Sequence, residues 1–191
     1  MIQGESKMKF RFCLLTLIGI ILGLAGMVSL QAQATMDTIQ DPEGNFTLSL
    51  PTSPKPEQGW HAVEVTDGAG RKQIEIIYKV REEGLLQVRR LEVEKGAKLV
   101  DVIKKDESQR LTFLPNYTKG ALEEFSASSG KIPAMLTAYD FTTGGRPKKG
   151  RNYYLMINDT TVYVLRFTGN RGTMEALRSQ TDLIARSFKV K

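Results

Sequence analysis

The pattern of apolar residues near the C-terminus predicts the centre of the fold. Two runs rich in β-branched and aromatic residues, within positions 152 to 168, are separated by Asn158 and Asp159. Both residue types tolerate the positive φ of a tight turn, so the pattern predicts a β-hairpin with this pair as its loop. The predicted cross-strand pairs are Leu155 with Val162 and Tyr153 with Val164.

Both faces of this predicted hairpin are apolar. The face opposite those pairs carries five large side chains: Met156, Tyr154, Tyr163, Leu165 and Phe167. A ribbon that is apolar on two sides must be covered on both, so we expect it in the middle of a sheet rather than at a wet edge.

Other alternating segments predict further strands, about seven or eight in total. They lie at 45–51, where Phe46, Leu48 and Leu50 share one face, and at 60–66, 72–80, 85–93, 117–127 and 132–143. Strands that follow one another directly lack the long crossovers that parallel pairing needs, so most of them should pair antiparallel. The early strands are expected to form a small flap on the flank of the sheet.

Two segments change to helical periodicity. The first spans 98–111. One face would carry Leu99, Val102, Ile103 and Arg110, and the wet face would carry Asp101, Lys104, Lys105, Glu107 and Ser108. The second begins at Thr173 as N-cap and carries the stripe Met174, Leu177, Thr181 and Ile184. The predicted fold class is therefore α+β, a mostly antiparallel sheet flanked by helices on both faces in an α/β/α sandwich.

The N-terminal segment has the features of a signal peptide. Lys7, Lys9 and Arg11 precede an uncharged run at 12–30, and Ala32-Gln33-Ala34 supplies a small-x-small cleavage site. We predict a signal peptide at 1–34, a polar leader at 35–44 and one domain at 45–191, exported to the periplasm or the extracellular space. The alternative is an uncleaved membrane anchor formed by residues 12–30.

The charge and the single cysteine narrow the classes of function. The full chain has a net charge of +6, and removal of residues 1–34 leaves 24 Lys and Arg against 20 Asp and Glu, or +4. This mild, well-mixed basicity does not indicate nucleic-acid binding. Cys13 lies inside the apolar segment, so the mature chain would have no disulfide and no thiolate site.

Two segments resemble PsbP-like domains. They are Phe46-Thr47-Leu48-Ser49-Leu50-Pro51, and Tyr163-Val164-Leu165-Arg166-Phe167-Thr168 followed by a helix and Ser187-Phe188. The resemblance covers roughly 45–191 and implies an antiparallel sheet between helices. Known members of the family are extrinsic accessory proteins of photosystem II and exported bacterial proteins, so it implies an adaptor or binding scaffold. It carries no functional residue onto this chain.

No catalytic, cofactor-binding or metal-ligating residue is assigned from the sequence. His61 is the only histidine and has no nucleophile-elbow sequence to serve, so we interpret it as a surface or packed residue. Four pairs of carboxylates, Glu82 with Glu83, Glu92 with Glu94, Asp106 with Glu107 and Glu123 with Glu124, are interpreted as solvated edge charges. We expect no cofactor.

The most informative polar stretch is a flexible basic loop at 142–150 that continues to Arg151. Its four cations, Arg146, Lys148, Lys149 and Arg151, are candidates for docking an anionic partner. The alternative is a solvated hairpin connection without a ligand.

We therefore expect an exported, non-catalytic binding or accessory module. Its partner would be an unknown protein or an anionic component of the cell envelope, with no nucleic acid and with membrane contact only through an uncleaved signal segment. The alternative is a carrier of a small apolar or lipid-like ligand, and a hydrolytic enzyme ranks third. A cavity of about 300 Å³ or more beneath a helix would favour the carrier.

Overall fold

The computed structural model describes residues 35–66, 68, 70 and 72–191. The predicted signal peptide, its cleavage site and the alternative anchor lie outside the described residues. Among the helices in the described ranges, none is long and apolar enough to cross a membrane.

The described residues form ten strands and three α-helices. The strands are β1 (Met36–Gln40), β2 (Phe46–Pro51), β3 (Trp60–Thr66), β4 (Lys72–Tyr78), β5 (Gly84–Glu92), β6 (Thr118–Ala127), β7 (Ile132–Thr143), β8 (Arg146–Asn158), β9 (Thr161–Asn170) and β10 (Lys189–Val190). The helices are α1 (Leu99–Arg110), α2 (Arg171–Ala176) and α3 (Arg178–Arg186), and a 3-10 turn lies at Pro56–Gln58.

These strands form two sheets. The larger has the order β3-β4-β5-β9-β8-β7-β6, and the smaller has the order β1-β2-β10. The pairings within 36–190 are antiparallel. The predicted α+β class with mostly antiparallel strands is confirmed. Residues 36–40, assigned from the sequence to a polar leader, form a strand, and only β1, β2 and β10 lie apart from the main sheet.

The central hairpin is confirmed, but its predicted register is wrong. Strands β8 and β9 occupy the middle of the seven-stranded sheet, and Tyr153 faces Leu165 while Tyr154 faces Val164. The turn lies one residue later than predicted, because the Asn158 side-chain oxygen accepts the Thr160 N–H at 3.0 Å. A bulge between Met156 and Asn158 adds a further irregularity.

The corrected register changes which residues share a face of the hairpin. Tyr153 and Leu155 lie with Tyr163 and Leu165 in one hydrophobic cluster, which also contains Met174, Leu177, Ile184 and Phe188. Tyr154 lies with Val162 and Val164 in a second cluster, which also contains Val102 and Ile103 of α1. The hairpin side chains in both clusters are at most 4% exposed, so the two apolar faces are buried as expected.

The helices follow the predicted stripes with two corrections. Met174, Leu177, Thr181 and Ile184 are all buried, but Leu177 divides the predicted single helix into α2 and α3. Thr173 does not cap the helix, since its hydroxyl donates to Glu83. In α1, Glu107 is buried although the sequence pattern places it on the wet face.

The predicted flexible basic loop is wrong as a description of 142–150. Strand β7 runs to Thr143 and β8 begins at Arg146, so only Gly144 and Gly145 form the connection. Their φ values of 56° and 73° are those that a tight hairpin turn requires. The four cations therefore lie on a strand rather than on a loop.

Gly150 is a point at which a side chain would disturb the sheet. A Cβ at Gly150 would lie 2.0 Å from the ring of Tyr139, whereas one at Gly172 would have no atom within 4 Å. We expect Gly150→Ala to lower the free energy of unfolding by about 1–3 kcal/mol through overpacking. Gly172→Ala in α2 is the matched control and should leave stability unchanged or raise it by up to about 1 kcal/mol. Urea denaturation measures both, and equal stabilities would contradict the packing of Tyr139 over Gly150.

Candidate functional site

The seven-stranded sheet is split by a cleft between β4 and β5. These strands pair only where Ile76–Tyr78 meets Gly84–Leu86, and beyond that point they diverge. The resulting cleft has a volume of about 510 Å³ and is open to solvent. Its lining is strongly charged: Asp41, Glu43, Lys72, Glu75, Arg89, Arg90, Arg110 and Arg166. We call it the β4–β5 cleft.

The two ends of the β4–β5 pair differ in the side chains that they bring together. Apolar partners hold the closed end, where Ile76 faces Leu86. If the same register continued, Lys72 would face Arg90, and like charges directly opposite each other destabilise a strand pair. The remaining length of β4 pairs with β3, and that of β5 with β9, so each strand keeps a partner on its other side.

A buried carboxylate lies beside the cleft and is shared by three arginines. Asp106 of α1 is 5% exposed. Its Oδ1 accepts from Arg89 Nη2, and its Oδ2 accepts from Arg166 Nη2 at 2.7 Å. Arg110 Nε lies 3.8 Å from Oδ1. We call Asp106 and these three residues the arginine cluster.

Two side chains of β8 fix the geometry of the arginine cluster. The Tyr154 hydroxyl donates to Asp106 Oδ2 at 2.8 Å, and the Asn152 side-chain oxygen accepts from Arg166 Nε at 3.2 Å. Burial and then the adjacent Asp106 raise the pKa of Tyr154 well above its ordinary value. The hydroxyl therefore stays protonated and acts as a donor to the carboxylate.

The arginine cluster has more positive charge than the protein itself neutralises. Within the described ranges, Asp106 is the only carboxylate within ion-pair distance of Arg89, Arg110 or Arg166. One carboxylate has two oxygens, whereas three guanidinium groups have fifteen N–H donors. Because Arg89, Arg110 and Arg166 also line the cleft, donors remain for an anion that enters it.

A second buried ion pair, next to α3, has balanced charges, unlike the arginine cluster. Arg151 is 4% exposed and its Nη2 donates to Asp182 Oδ1 at 2.7 Å. The Tyr153 hydroxyl accepts from Arg151 Nε at 3.1 Å and contacts Asp182 and Thr181. With one cation for one carboxylate, this cluster joins β8 to α3 and offers no excess charge.

The four candidate docking residues do not converge. Successive residues of a strand point to opposite faces, so Arg146 and Lys148 lie on one face and Lys149 and Arg151 on the other. Arg146 is exposed, Lys148 Nζ donates to Asn170 Oδ1 at 2.6 Å, and Lys149 Nζ lies 3.6 Å from Asp140 Oδ1. Anion docking by this group stays a prediction.

The other candidate residues are distributed over the sheet. His61 is half-buried, with Nδ1 3.4 Å from the Gly59 carbonyl oxygen. Within the described part of the chain, no three His, Cys, Asp or Glu side chains lie close enough to hold a metal ion. The exposed pairs Glu92 with Glu94 and Glu123 with Glu124 agree with solvated edge charges.

The interpretation of Asp106 and Glu107 as solvated charges is wrong. Both are buried against the sheet, and Glu107 Oε2 accepts from Lys119 Nζ at 2.5 Å. Glu107 Oε1 and the Tyr117 hydroxyl are buried without a hydrogen-bond partner among the described residues. Burial, followed by the nearby Glu107, raises the pKa of Tyr117 to about 12. Sequence periodicity missed this because the α1 stripe turns towards polar side chains of the sheet at its C-terminal end.

A groove between α1 and β5 adjoins the cleft. It has a volume of about 790 Å³, is open to solvent, and shares Arg89 and Arg110 with the β4–β5 cleft. Its apolar lining consists of Leu91, Val93, Ala97 and Val102. We call it the α1–β5 groove.

The fold is found in several solved structures at low sequence identity. LpqN of Mycobacterium tuberculosis, described as involved in cell envelope biogenesis, is 11% identical with a TM-score of 0.57 over 82% of this chain and 91% of its own. PsbP (CyanoP) of Synechocystis sp. PCC 6803 is 13% identical with a TM-score of 0.57 over 87% of this chain and 98% of its own. A point mutant of Mog1 is 13% identical with a TM-score of 0.53 over 82% and 96%.

The sequence matches no family model and no curated protein. The structural matches confirm the predicted PsbP-like fold, and at these identities they show the fold alone.

Asp106→Asn tests the arrangement of the arginine cluster. Loss of this charge leaves three guanidinium groups without their carboxylate, so we expect the free energy of unfolding to fall by about 2–4 kcal/mol. Asp101→Asn is the control, because Asp101 lies on the same helix but its side chain is 66% exposed. It should change stability by less than about 0.5 kcal/mol. Chemical denaturation would contradict the assignment if the two variants were equally stable.

Proposed function

We propose that this PsbP-like domain is an exported, non-catalytic binding module that recognises an anionic partner through the β4–β5 cleft. The observation that carries the proposal is the arginine cluster, in which three cations share one buried carboxylate and also line an open cleft. Charge-assisted hydrogen bonds from guanidinium groups are the usual means by which proteins hold carboxylates and phosphates.

Several further observations support an accessory rather than a catalytic role. The side chains that the arginine cluster presents to the cleft are guanidinium groups, which stay charged and bind anions rather than transfer protons. The LpqN structure belongs to a protein described as involved in cell envelope biogenesis, which agrees with export of this chain.

The two hydrophobic clusters support a sandwich in which α1 covers one face of the sheet and α2 with α3 cover the other.

Citrate binding provides a direct test with a defined anion. We expect Arg89→Gln combined with Arg110→Gln to weaken citrate binding at least tenfold in isothermal titration calorimetry. The reason is that the two changes remove charge-assisted hydrogen bonds worth about 1.5 kcal/mol or more each. Arg146→Gln combined with Lys148→Gln removes the same charge from the β7–β8 hairpin and should change the affinity less than about twofold. Thermal unfolding checks that both double variants are folded.

The two double variants separate the possible sites. Loss of binding only in the Arg146 and Lys148 variant would overturn the cleft and support the docking site predicted from the sequence. Equal losses in both variants would show that the anion responds to net charge alone, which also contradicts the proposal.

The second candidate function is a carrier of a small apolar or lipid-like ligand. The α1–β5 groove favours it, since its volume of about 790 Å³ lies within the range of ligand sites. It also exceeds the cavity volume of about 300 Å³ above which we expect a carrier. An amphiphile with an anionic head would place its head near Arg89 and Arg110 and its chain along Leu91 and Val93.

Filling the groove tests the carrier. We expect Ala97→Trp to weaken binding of cis-parinaric acid at least tenfold, because the indole ring would occupy the apolar part of the groove. Ala62→Trp, at an exposed position of β3, adds the same side chain elsewhere and serves as control. Fluorescence titration measures both. Absence of binding to the unmodified protein, or equal affinity of the two variants, would contradict the carrier.

A further inference from the structure

The hydrogen bond just after the C-terminal end of β5 shows which of its main-chain groups point to β9 and which point to β4. Val93 N–H donates to the Thr160 carbonyl at 2.8 Å, on the side of β9. In an antiparallel ladder, the N–H and C=O of alternate residues point to the same side. The main-chain groups of odd-numbered residues of β5 therefore point to β9, and those of Leu86, Val88 and Arg90 point towards β4.

The same reasoning applies to β4. Lys79 N–H donates to the Gly59 carbonyl at 2.9 Å, on the side of β3, so the main-chain groups of Ile74 and Ile76 point towards β5. Ile76 is satisfied because it pairs with Leu86. Beyond this pair the strands diverge, and Val88 and Arg90 present their N–H and C=O groups to the β4–β5 cleft. The cleft is thus bordered by an internal strand edge.

We propose that the β4–β5 cleft binds an acidic segment of a partner protein in extended conformation, which adds to the edge of β5 as a strand. This inference rests on the proposed anion-binding function and names the class of partner. The segment would exchange main-chain hydrogen bonds with Val88 and Arg90, as in other cases of strand addition. Its acidic side chains would meet Arg89 and Arg110.

The charges along β5 fit such a segment. Val88 packs against the hydrophobic cluster that contains Leu86, so Arg89 must point to the opposite face, where it reaches Asp106. Arg90 returns to the first face, and its side chain is 54% exposed. An added strand with alternating acidic residues would therefore place carboxylates beside Arg89 on the face that holds the arginine cluster.

The main-chain carbonyls at the edge of β5 favour a peptide. The Val88 and Arg90 carbonyls that face the cleft are acceptors, and a peptide N–H can donate to them, whereas a fully ionised phosphate offers acceptors only. Glu75 also lines the cleft, but its Oε1 accepts from Arg81 Nη2 at 2.7 Å and its Oε2 is buried, so we assign it no part in binding.

The size of the cleft agrees with a short strand. A residue of an extended strand occupies about 160 Å³, taken from a rise of about 3.3 Å, a strand spacing of about 4.8 Å and a sheet spacing of about 10 Å. The volume of about 510 Å³ therefore accommodates about three residues.

The test uses a fluorescein-labelled peptide of three Glu-Val repeats and the full domain. We expect it to bind the unmodified protein, and Val88→Pro to weaken binding at least tenfold in fluorescence anisotropy. Proline removes the N–H that faces the cleft but leaves the β9 ladder intact, since Val88 does not donate to β9. Val88→Thr keeps both the N–H and the branched shape and should change the affinity less than about twofold.

A second measurement leaves the protein unchanged. Two peptides are made, one N-methylated at its odd-numbered residues and one at its even-numbered residues. In each of these two phases, the methyl groups remove the N–H donors from one edge of the extended peptide and leave the other edge intact. We expect one phase to lose binding at least tenfold and the other to retain it. If both methylated peptides bind as tightly as the unmethylated one, strand addition is overturned, even if Val88→Pro fails to fold.

The outcomes separate this inference from the proposed function. If citrate and the peptide both bind through Arg89 and Arg110 but Val88→Pro and N-methylation have no effect, the anion site stands and strand addition is wrong. If citrate binds and the peptide does not, the partner class is wrong, and vesicles containing anionic phospholipid become the supported ligand if they bind instead. If neither citrate nor the peptide binds, both proposals fail.

Discussion

The fold depends on the burial of both faces of the β8–β9 hairpin. Its aromatic and aliphatic side chains on either face are almost completely removed from water, and each buried side chain of this size contributes about 1.5–3 kcal/mol relative to exposure. A ribbon with two apolar faces cannot remain at an edge. The remaining strands therefore lie on both sides of it, and the helices contribute to the two clusters that enclose it.

The position of the candidate site follows from this constraint. Because β9 is central, Arg166 on it is placed in the interior of the sheet, although a guanidinium group requires a buried counterion or solvent. Asp106 of α1 supplies the counterion, and the divergence of β4 from β5 supplies access to solvent. The cleft thus allows arginine side chains to lie on a central part of the sheet without complete desolvation.

Local patterns predict the strands of the larger sheet, the helical segments and the antiparallel class, because alternation and helical periodicity depend on burial. They do not predict β1, whose exposed residues lack a clear alternation. The register of the hairpin was predicted wrongly, since the Asn158 side chain moves the turn and a bulge follows from packing. The arginine cluster was missed because Arg89, Asp106 and Arg166 are distant in sequence. Arg166 between Leu165 and Phe167 was nevertheless a signal, as a charged residue within the most apolar strand requires a partner.

The limited pairing of β4 with β5 has a mechanical consequence. Strands β3 and β4 pair with each other over seven residues, but β4 is joined to β5 through only three residue pairs. Strands β3 and β4 thus form a two-stranded arm. Trp60 lies at the end of the arm where β4 pairs with β5, and there its ring contacts Phe167 and its indole N–H donates to Gln180. The outer part of this arm therefore has no main-chain pairing with β5, and segments with few such contacts are those that open locally at the lowest cost in free energy.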